Sequence, residues 1–163
     1  MDRFRYLTAQ NSTASDVGLL ILRVVMAVTF ISYGSWHVLD IGISNLAENM
    51  GGAGVPLPQV AAPYLAYLEL IGGFLLLPGV FSRLISAGLV VVMGGALIWV
   101  HWGEQIRMED DGSGIALALL LGAVTLTMAI VGPGRMSVDH LITKRFSSPR
   151  PLPMTSATTR GSV

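Results

Sequence analysis

Four long apolar stretches limit what this chain can fold into more than any other feature. They cover about residues 17–36, 61–80, 84–100 and 114–131. Because an α-helix rises about 1.5 Å per residue, roughly 20 residues cross a hydrocarbon core about 30 Å thick. Charged residues make up only 12% of the chain, and the stretches lack the strict alternation of a transmembrane barrel. The sequence therefore predicts an all-α membrane protein, a bundle of four transmembrane helices.

The basic residues predict the orientation of this bundle. With four spans both termini lie on one side of the membrane, and most lysines and arginines fall on that side. They are Arg3, Arg5, Arg83, Arg135, Lys144, Arg145, Arg150 and Arg160, whereas the opposite side holds only Arg107. Because cytoplasmic loops carry an excess of Lys and Arg, both termini are predicted to be cytoplasmic.

These boundaries divide the chain into three parts. We expect residues 1–16 to form a polar cytoplasmic arm and residues 17–139 to form the four-helix transmembrane domain. Residues 140–163 are basic and rich in proline, which predicts a disordered cytoplasmic tail.

Glycines mark further features. Between the first two spans, Ile41, Leu46 and Met50 predict a short interfacial helix that the glycine-rich segment 51–54 ends. Pairs of glycines at 72–73 and 94–95 lie in the middle of spans. Small residues there predict close approach of helix backbones.

Two ionisable residues interrupt the apolar stretches, Arg23 in the first and Glu69 in the second. A charge at membrane depth is costly unless it has a partner or a watery cavity. At helical rise, Arg23 lies about 9 Å and Glu69 about 13 Å from the same edge of the bilayer, a difference that a long arginine can bridge. We therefore predict a buried Arg23–Glu69 pair between the first two spans. The pair is either a structural lock or a working site in which Glu69 accepts a proton or hydrogen-bonds a polar head group.

A second candidate group lies at the opposite end of the bundle. Trp36 and His37 end the first span, His101 ends the third, and Tyr67 lies on the second. Two histidines on facing helices could ligate haem b, and the same residues could contact a quinone or anchor the helices at the interface. We take His37, His101, Trp36 and Tyr67 as candidate cofactor-binding residues, with a quinone favoured over haem b.

Tyr33, Tyr64 and Tyr67 are predicted near the same interface. Together with His37 they could wall a polar-lined pocket between the first two spans, or form an aromatic belt.

The chain has no cysteine, which excludes a disulfide relay and any Cys-ligated zinc or iron–sulfur site supplied by this chain alone. Redox chemistry would need a bound cofactor, and the sequence predicts neither a metal site nor nucleic-acid binding.

An arginine in the first span is followed by a series of short motifs. They are Tyr33-Gly34-Ser35-Trp36-His37, Gly54-Val55-Pro56-Leu57-Pro58, Tyr67-Leu68-Glu69-Leu70-Ile71-Gly72-Gly73, Phe81-Ser82-Arg83-Leu84, His101 and Gly132-Pro133-Gly134-Arg135-Met136-Ser137-Val138-Asp139. From Val17 to Asp139 the chain thereby resembles the DoxX family of small bacterial four-helix membrane proteins. By position, Arg23, His37, Glu69, Arg83 and Arg135 match the polar signature of that family.

The resemblance implies a bacterial inner-membrane protein linked to quinone-dependent sulfur oxidation, oxidative stress and thiol homeostasis. We expect a component of a redox or quinone-linked system, a subunit or accessory protein of a membrane oxidoreductase rather than an enzyme on its own. Its expected partners are the lipid bilayer, further copies of this chain, and membrane or soluble redox proteins. Two alternatives stay open: a non-enzymatic scaffold or assembly factor, and a small proton-coupled carrier that uses Glu69.

Overall fold

A computed structural model of the chain describes residues 12–102 and 114–146. The elements are all helical: α1 (Ser12–Ser35), α2 (Ile43–Gly52), α3 (Pro58–Leu76), α4 (Ser82–Gly95), α5 (Gly114–Val131) and α6 (Val138–Phe146). Two helices continue into π-helical turns, α1 through Trp36–Ile41 and α4 through Ala96–Val100.

Four helical segments are long and apolar enough to cross a membrane. They are Thr13–Ile41, Pro58–Leu76, Ser82–Val100 and Gly114–Val131. The predicted all-α bundle of four transmembrane helices is confirmed. The cytoplasmic orientation of both termini stays a prediction.

The second span lies a few residues earlier than the predicted 61–80. Pro58 is at the start of α3, where the missing amide hydrogen of proline is not needed. Leu57 before it has a left-handed backbone with a φ of 51°. At the other end the helix stops at Leu76, because Gly79 turns the chain with a φ of 77°.

The bundle consists of two helix pairs, with α1 packed along α3 and α4 packed along α5. Side chains from all four helices meet between the pairs, including Phe30, Leu76, Leu89 and Met128. Large apolar side chains also cover the outside of the bundle, as expected for a surface that faces lipid. Examples are Ile21, Val25, Ile71, Leu84, Leu120 and Ile130.

Glycines bring α1 and α3 into backbone contact. A side chain at Gly73 would place its Cβ 2.8 Å from Ile31 Cγ1 and 3.0 Å from the carbonyl oxygen of Ala27. Gly72 is also close to a neighbouring helix, since its Cβ would lie 2.9 Å from Ile85 Cγ2. The predicted close approach is therefore confirmed at 72–73. It is wrong at 94–95: a Cβ added to Gly94 would meet no other helix among the described residues within 4 Å, and one added to Gly95 would meet only Trp99 of the same span.

The predicted short helix after the first span is confirmed as α2. It begins after Gly42 and ends at Gly52. Leu46 and Ala47 are buried against Ala62 and Ala66 of α3. We call this end of the bundle, with α2 and the two π-helical turns, the His37 end; the opposite end is the Arg23 end.

At the Arg23 end, α6 folds back onto the bundle. The amides of Val138 and Asp139 donate to the carbonyl oxygens of Pro78 and Gly79 at 3.1 Å. The Asp139 carboxylate accepts hydrogen bonds from the amides of Phe81 and Ser82, each at 2.9 Å, and so caps the start of α4. The prediction of disorder from residue 140 is therefore wrong for 140–146, because these contacts give the helix a surface to pack on. Residues 147–163 of the predicted tail and residues 1–11 of the predicted arm lie outside the described residues.

The Arg23 side chain is enclosed by the segment between α5 and α6. Its Nη1 donates to the carbonyl oxygen of Pro133 at 2.9 Å, and its Nη2 donates to that of Met136 at 2.6 Å. Gly79 gives the guanidinium room, because a Cβ there would lie 2.8 Å from Nη1. Arg23 has only 2% of its surface exposed. Through these two hydrogen bonds it holds the segment after α5 against α1.

The glycines of α3 and α4 allow a test of backbone contact. We expect Gly73→Ala to destabilise the bundle by about 1–3 kcal/mol, because the new methyl meets backbone atoms that must shift. Gly94→Ala is the matched control, and it should stabilise by up to about 1 kcal/mol since alanine favours a helix over glycine. Thermal unfolding in one detergent measures both, and equal effects of the two substitutions would contradict the packing described.

A second prediction concerns the guanidinium of Arg23. We expect Arg23→Lys to lower the free energy of unfolding by about 2 kcal/mol, since an ammonium cannot serve two carbonyls in fork geometry and a charged hydrogen bond contributes about 1.5–3 kcal/mol. Arg145→Lys, at an exposed position of α6, is the control. Unfolding in denaturant should separate the two variants, and identical midpoints would show that Arg23 does not hold the segment.

Candidate functional site

Glu69 lies in the middle of α3 with 3% of its surface exposed. Its Oε2 is 2.7 Å from Nδ1 of His37. At this distance the two groups share a hydrogen bond. An Nδ1–H imidazole donates to an ionised Glu69, and a protonated Glu69 donates to an imidazole with a bare Nδ1. A carboxylate at membrane depth thus has a partner of suitable chemistry.

A π-helical turn positions the imidazole. Trp36–Ile41 follows α1 without a break, and the amide of Gly42 donates to the carbonyl oxygen of His37 at 3.1 Å. Gly42 then ends the turn with a φ of 79°, which glycine adopts readily. A π-helical turn is wider than an α-helical one, and such turns are frequent at functional sites. It changes the direction of the side chains that follow α1, among them His37.

The end of α4 repeats this arrangement. Ala96–Val100 is also π-helical, and the amide of His101 donates to the carbonyl oxygen of Ala96 at 2.9 Å. A tryptophan precedes the histidine in both places, Trp36 before His37 and Trp99 before His101. The two helix pairs therefore each bring a histidine to the His37 end.

A cavity of about 540 Å³ lies between the helix pairs at this end, and we call it the central cavity. Its lining is mostly apolar, with residues from all four spans and from α2. Polar groups on the lining belong to Tyr33, His37, Asn49, Tyr64, Glu69 and His101. Apolar side chains on it include Leu65, Met93, Trp99, Leu117 and Leu121. An apolar cavity of this size with few polar groups is typical of a site for a small organic ligand.

The predicted Arg23–Glu69 pair is wrong. Glu69 is paired with His37, and Arg23 is bound to Pro133 and Met136 at the other end of the bundle. The segment after α5 folds over the inner end of α1, so its backbone carbonyls bind Arg23, and the π-helical turn after α1 brings His37 to Glu69.

The other candidate residues lie in different places. His37 and His101 both line the central cavity, as do Tyr33 and Tyr64. Trp36 lies against His37 with ring centres 5.3 Å apart but is half exposed and outside the lining. Tyr67 lines a separate groove on the outside of α3. Their binding of a cofactor stays a prediction.

The sequence marks Met50 only as part of the short helix and Asn49 not at all, and both line the cavity because α2 folds over α3. At the Arg23 end, the Asp139 cap on α4 also joins residues far apart in the chain. The acidic residue beside His140 could have suggested a capping role, since aspartate is favoured at helix starts.

Among the described residues, no group of three or more His, Cys, Asp or Glu side chains could hold a metal ion. An organic ligand fits the lining better, because it combines a large apolar surface with the His37–Glu69 hydrogen bond. The arrangement offers a buried carboxylate and an imidazole that can hydrogen-bond a polar head group or exchange a proton with it.

Comparison with known proteins agrees with this architecture. The profile of the DoxX family matches residues 18–102, more than half of the chain. The Escherichia coli "Inner membrane protein YphA" is 27% identical over 146 residues, which cover 86% of this chain and 99% of that protein. "Inner membrane protein YqjF" of the same organism is 29% identical over 80% of this chain and 96% of its own length.

A Bacillus subtilis relative named "Putative oxidoreductase CatD" is 31% identical over 129 residues, which cover 79% of this chain and 90% of that protein. No solved structure matches the chain significantly. The similarity to these relatives extends over most of each sequence, so it covers the spans that build the central cavity.

Proposed function

The chain belongs to the DoxX family of membrane proteins, and from this we propose that it is a membrane component of a redox system that binds a quinone-type ligand in the central cavity. The observation that carries the proposal is the His37–Glu69 hydrogen bond beside a mostly apolar cavity at membrane depth. The name of the Bacillus subtilis relative, an oxidoreductase, supports the redox part.

The chemistry of the lining suits a quinone ring. A quinone presents two carbonyl oxygens that accept hydrogen bonds, and its reduced form presents hydroxyls that donate them. Apolar side chains such as Leu65, Met93 and Trp99 would cover the faces of the ring. With Nδ1 bonded to Glu69, His37 offers its Nε2 to the ligand. A bare Nε2 accepts a hydrogen bond from a hydroquinone hydroxyl, and a protonated Nε2 donates one to a quinone carbonyl.

The quinone supplies two-electron chemistry when it is bound, and two protons accompany the change. His37 and Glu69 are placed to hold and pass a proton at the head group, because the pair is hydrogen-bonded and lines the cavity. Since the chain has no cysteine, it has no thiol of its own to exchange electrons with the ring. A partner redox protein is the expected source or acceptor of electrons.

A proton-coupled carrier is the second candidate, and the burial of Glu69 in a cavity favours it. A buried carboxylate in a span is a common element of proton relays in pumps and transporters. Substrate-dependent proton release from the purified protein that is lost in Glu69→Gln would support the carrier.

Binding of a short-tailed benzoquinone to protein in lipid nanodiscs tests the main proposal. Quinones quench tryptophan fluorescence, and Trp99 lies on the cavity lining. We expect His37→Gln to weaken binding about tenfold or more, since a hydrogen bond to a charged or polarised group contributes about 1.5–3 kcal/mol. Glu69→Gln should weaken it less, because the glutamine amide can still bond Nδ1, with its oxygen accepting from Nδ1–H or its NH2 donating to a bare Nδ1.

The control is Glu48→Gln, the same change at an exposed position of α2, and it should bind the quinone as the wild type does. Trp99→Phe should remove most of the quenching if the quinone lies beside this residue, and binding in that variant is measured by ligand retention. Saturable binding that is the same in His37→Gln, Glu69→Gln and the control would place the quinone elsewhere and overturn the proposal.

A further inference from the structure

A second apolar depression lies on the outside of the bundle, directly beside the central cavity. This groove has a volume of about 460 Å³ and lies between α3 and α4. Its walls include Tyr64, Leu68, Ile71, Gly72 and Leu75 of α3 and Ile85 of α4. Ile71 and Tyr67, which also borders it, are exposed on the surface that faces lipid.

The groove lies at the less tightly packed junction of the two helix pairs. α3 packs much more extensively on α1 than on α4, and α4 packs mainly on α5. Glycines bring the two helices together at single points: a Cβ at Gly88 would lie 2.9 Å from Leu68 Cδ2, and one at Gly72 would lie 2.9 Å from Ile85 Cγ2. Between such points the junction leaves room for a guest chain.

Tyr64 separates the groove from the central cavity. It is the one residue of the described chain that lines both. Its hydroxyl lies over Gly88, 3.1 Å from where a Cβ of that residue would be. The Tyr64 side chain is half exposed, so its ring borders the lipid-facing surface as well as the cavity. A turn of this ring would join the two spaces.

We propose that the ligand of the central cavity is a head-and-tail lipid whose tail leaves past Tyr64 and lies in the groove between α3 and α4. The proposal rests on the function proposed above and specifies the class of ligand. A cavity of about 540 Å³ holds a ring-sized head group beside His37 and Glu69. A long apolar tail exceeds that space, and the adjoining apolar groove leads it to the bilayer.

The affinity of a lipid tail for the groove comes from packing and not from the hydrophobic effect. A tail that leaves the bilayer for the groove moves from one apolar medium to another, so only closer van der Waals contact favours the move. The contribution of the groove is therefore expected to be modest and to depend on the presence of a tail. The head group contributes separately, through His37 and Glu69.

Two forms of one benzoquinone separate head from tail, one without a tail and one with a long polyprenyl tail. The substitution Ile71→Trp is designed to fill the groove with a larger side chain. Ile71 is exposed, so the tryptophan can be accommodated without disturbing the core. We expect this variant to retain the tailed quinone about fivefold less than the wild type, because loss of close contacts removes the packing gain. Retention of the tailless ring should not change. Extraction from nanodiscs followed by chromatography measures both without relying on fluorescence.

Val28→Trp is the matched control, on the lipid-facing side of α1. Val28 lies near the level of Gly73, which packs against Ala27 and Ile31, so the two new tryptophans lie at similar depth. It should retain both quinones as the wild type does. In addition, a photoreactive group near the end of the tail should label peptides of α3 and α4 in the wild type and fewer of them in Ile71→Trp.

Each result has one reading. If Ile71→Trp retains both quinones as well as the wild type does, and the photoreactive tail labels peptides outside α3 and α4, the tail does not lie in the groove. The proposed binding of the head group would then still stand. Failure of the tailless ring to bind the wild type overturns the proposed function and the tail position together. A change in the oligomeric state of Ile71→Trp with unchanged retention of the tailed quinone would show that the groove is a contact between copies, which also overturns the proposal.

Discussion

The structure depends on how two charged side chains are accommodated inside a bundle that spans lipid. Water is absent there, so each charge needs a partner within the protein. Arg23 finds backbone carbonyls of Pro133 and Met136, and Glu69 finds the imidazole of His37. The first solution closes one end of the bundle, while the second leaves a carboxylate and an imidazole at a cavity. The Arg23 end is thus closed by backbone contacts, and the His37 end has the proposed ligand site.

The difference between the two ends of the bundle is also seen in the backbone, in the two π-helical turns. Each extends a span at the His37 end, and each is associated with a Trp and a His. The tight α1–α3 and α4–α5 pairs hold the scaffold, and the looser junction of α3 and α4 borders the groove. The proposed ligand site lies where packing is least complete, which agrees with the general finding that ligand sites are drawn from regions of lower local stability.

Much of the fold could be predicted from the chain alone. The number of spans, the helical class and the short helix α2 follow from the length of apolar stretches and from glycine punctuation, which are local properties. The family could also be recognised, because its motifs are short and lie in a fixed order. Of the site, the sequence indicated Glu69, His37 and His101 as residues of interest. Of the three tyrosines that it grouped with His37, Tyr33 and Tyr64 line the central cavity, and Tyr67 lies on the groove outside α3. The helix α6 was missed because its stability comes from contacts with Pro78, Gly79 and the start of α4.

The sequence by itself determined that Arg23 and Glu69 had to be buried and needed partners, since spans of that length leave them no other place. Only the tertiary structure decided which partners they have. The choice depends on a loop more than one hundred residues from Arg23 and on a π-helical turn that changes the direction of His37. Neither leaves a periodic pattern in the chain. Hydropathy indicates how deep a residue lies in the membrane. The partner of a buried charge depends instead on the direction of its side chain and on which distant backbone segment folds next to it, and both are set only when the helices pack.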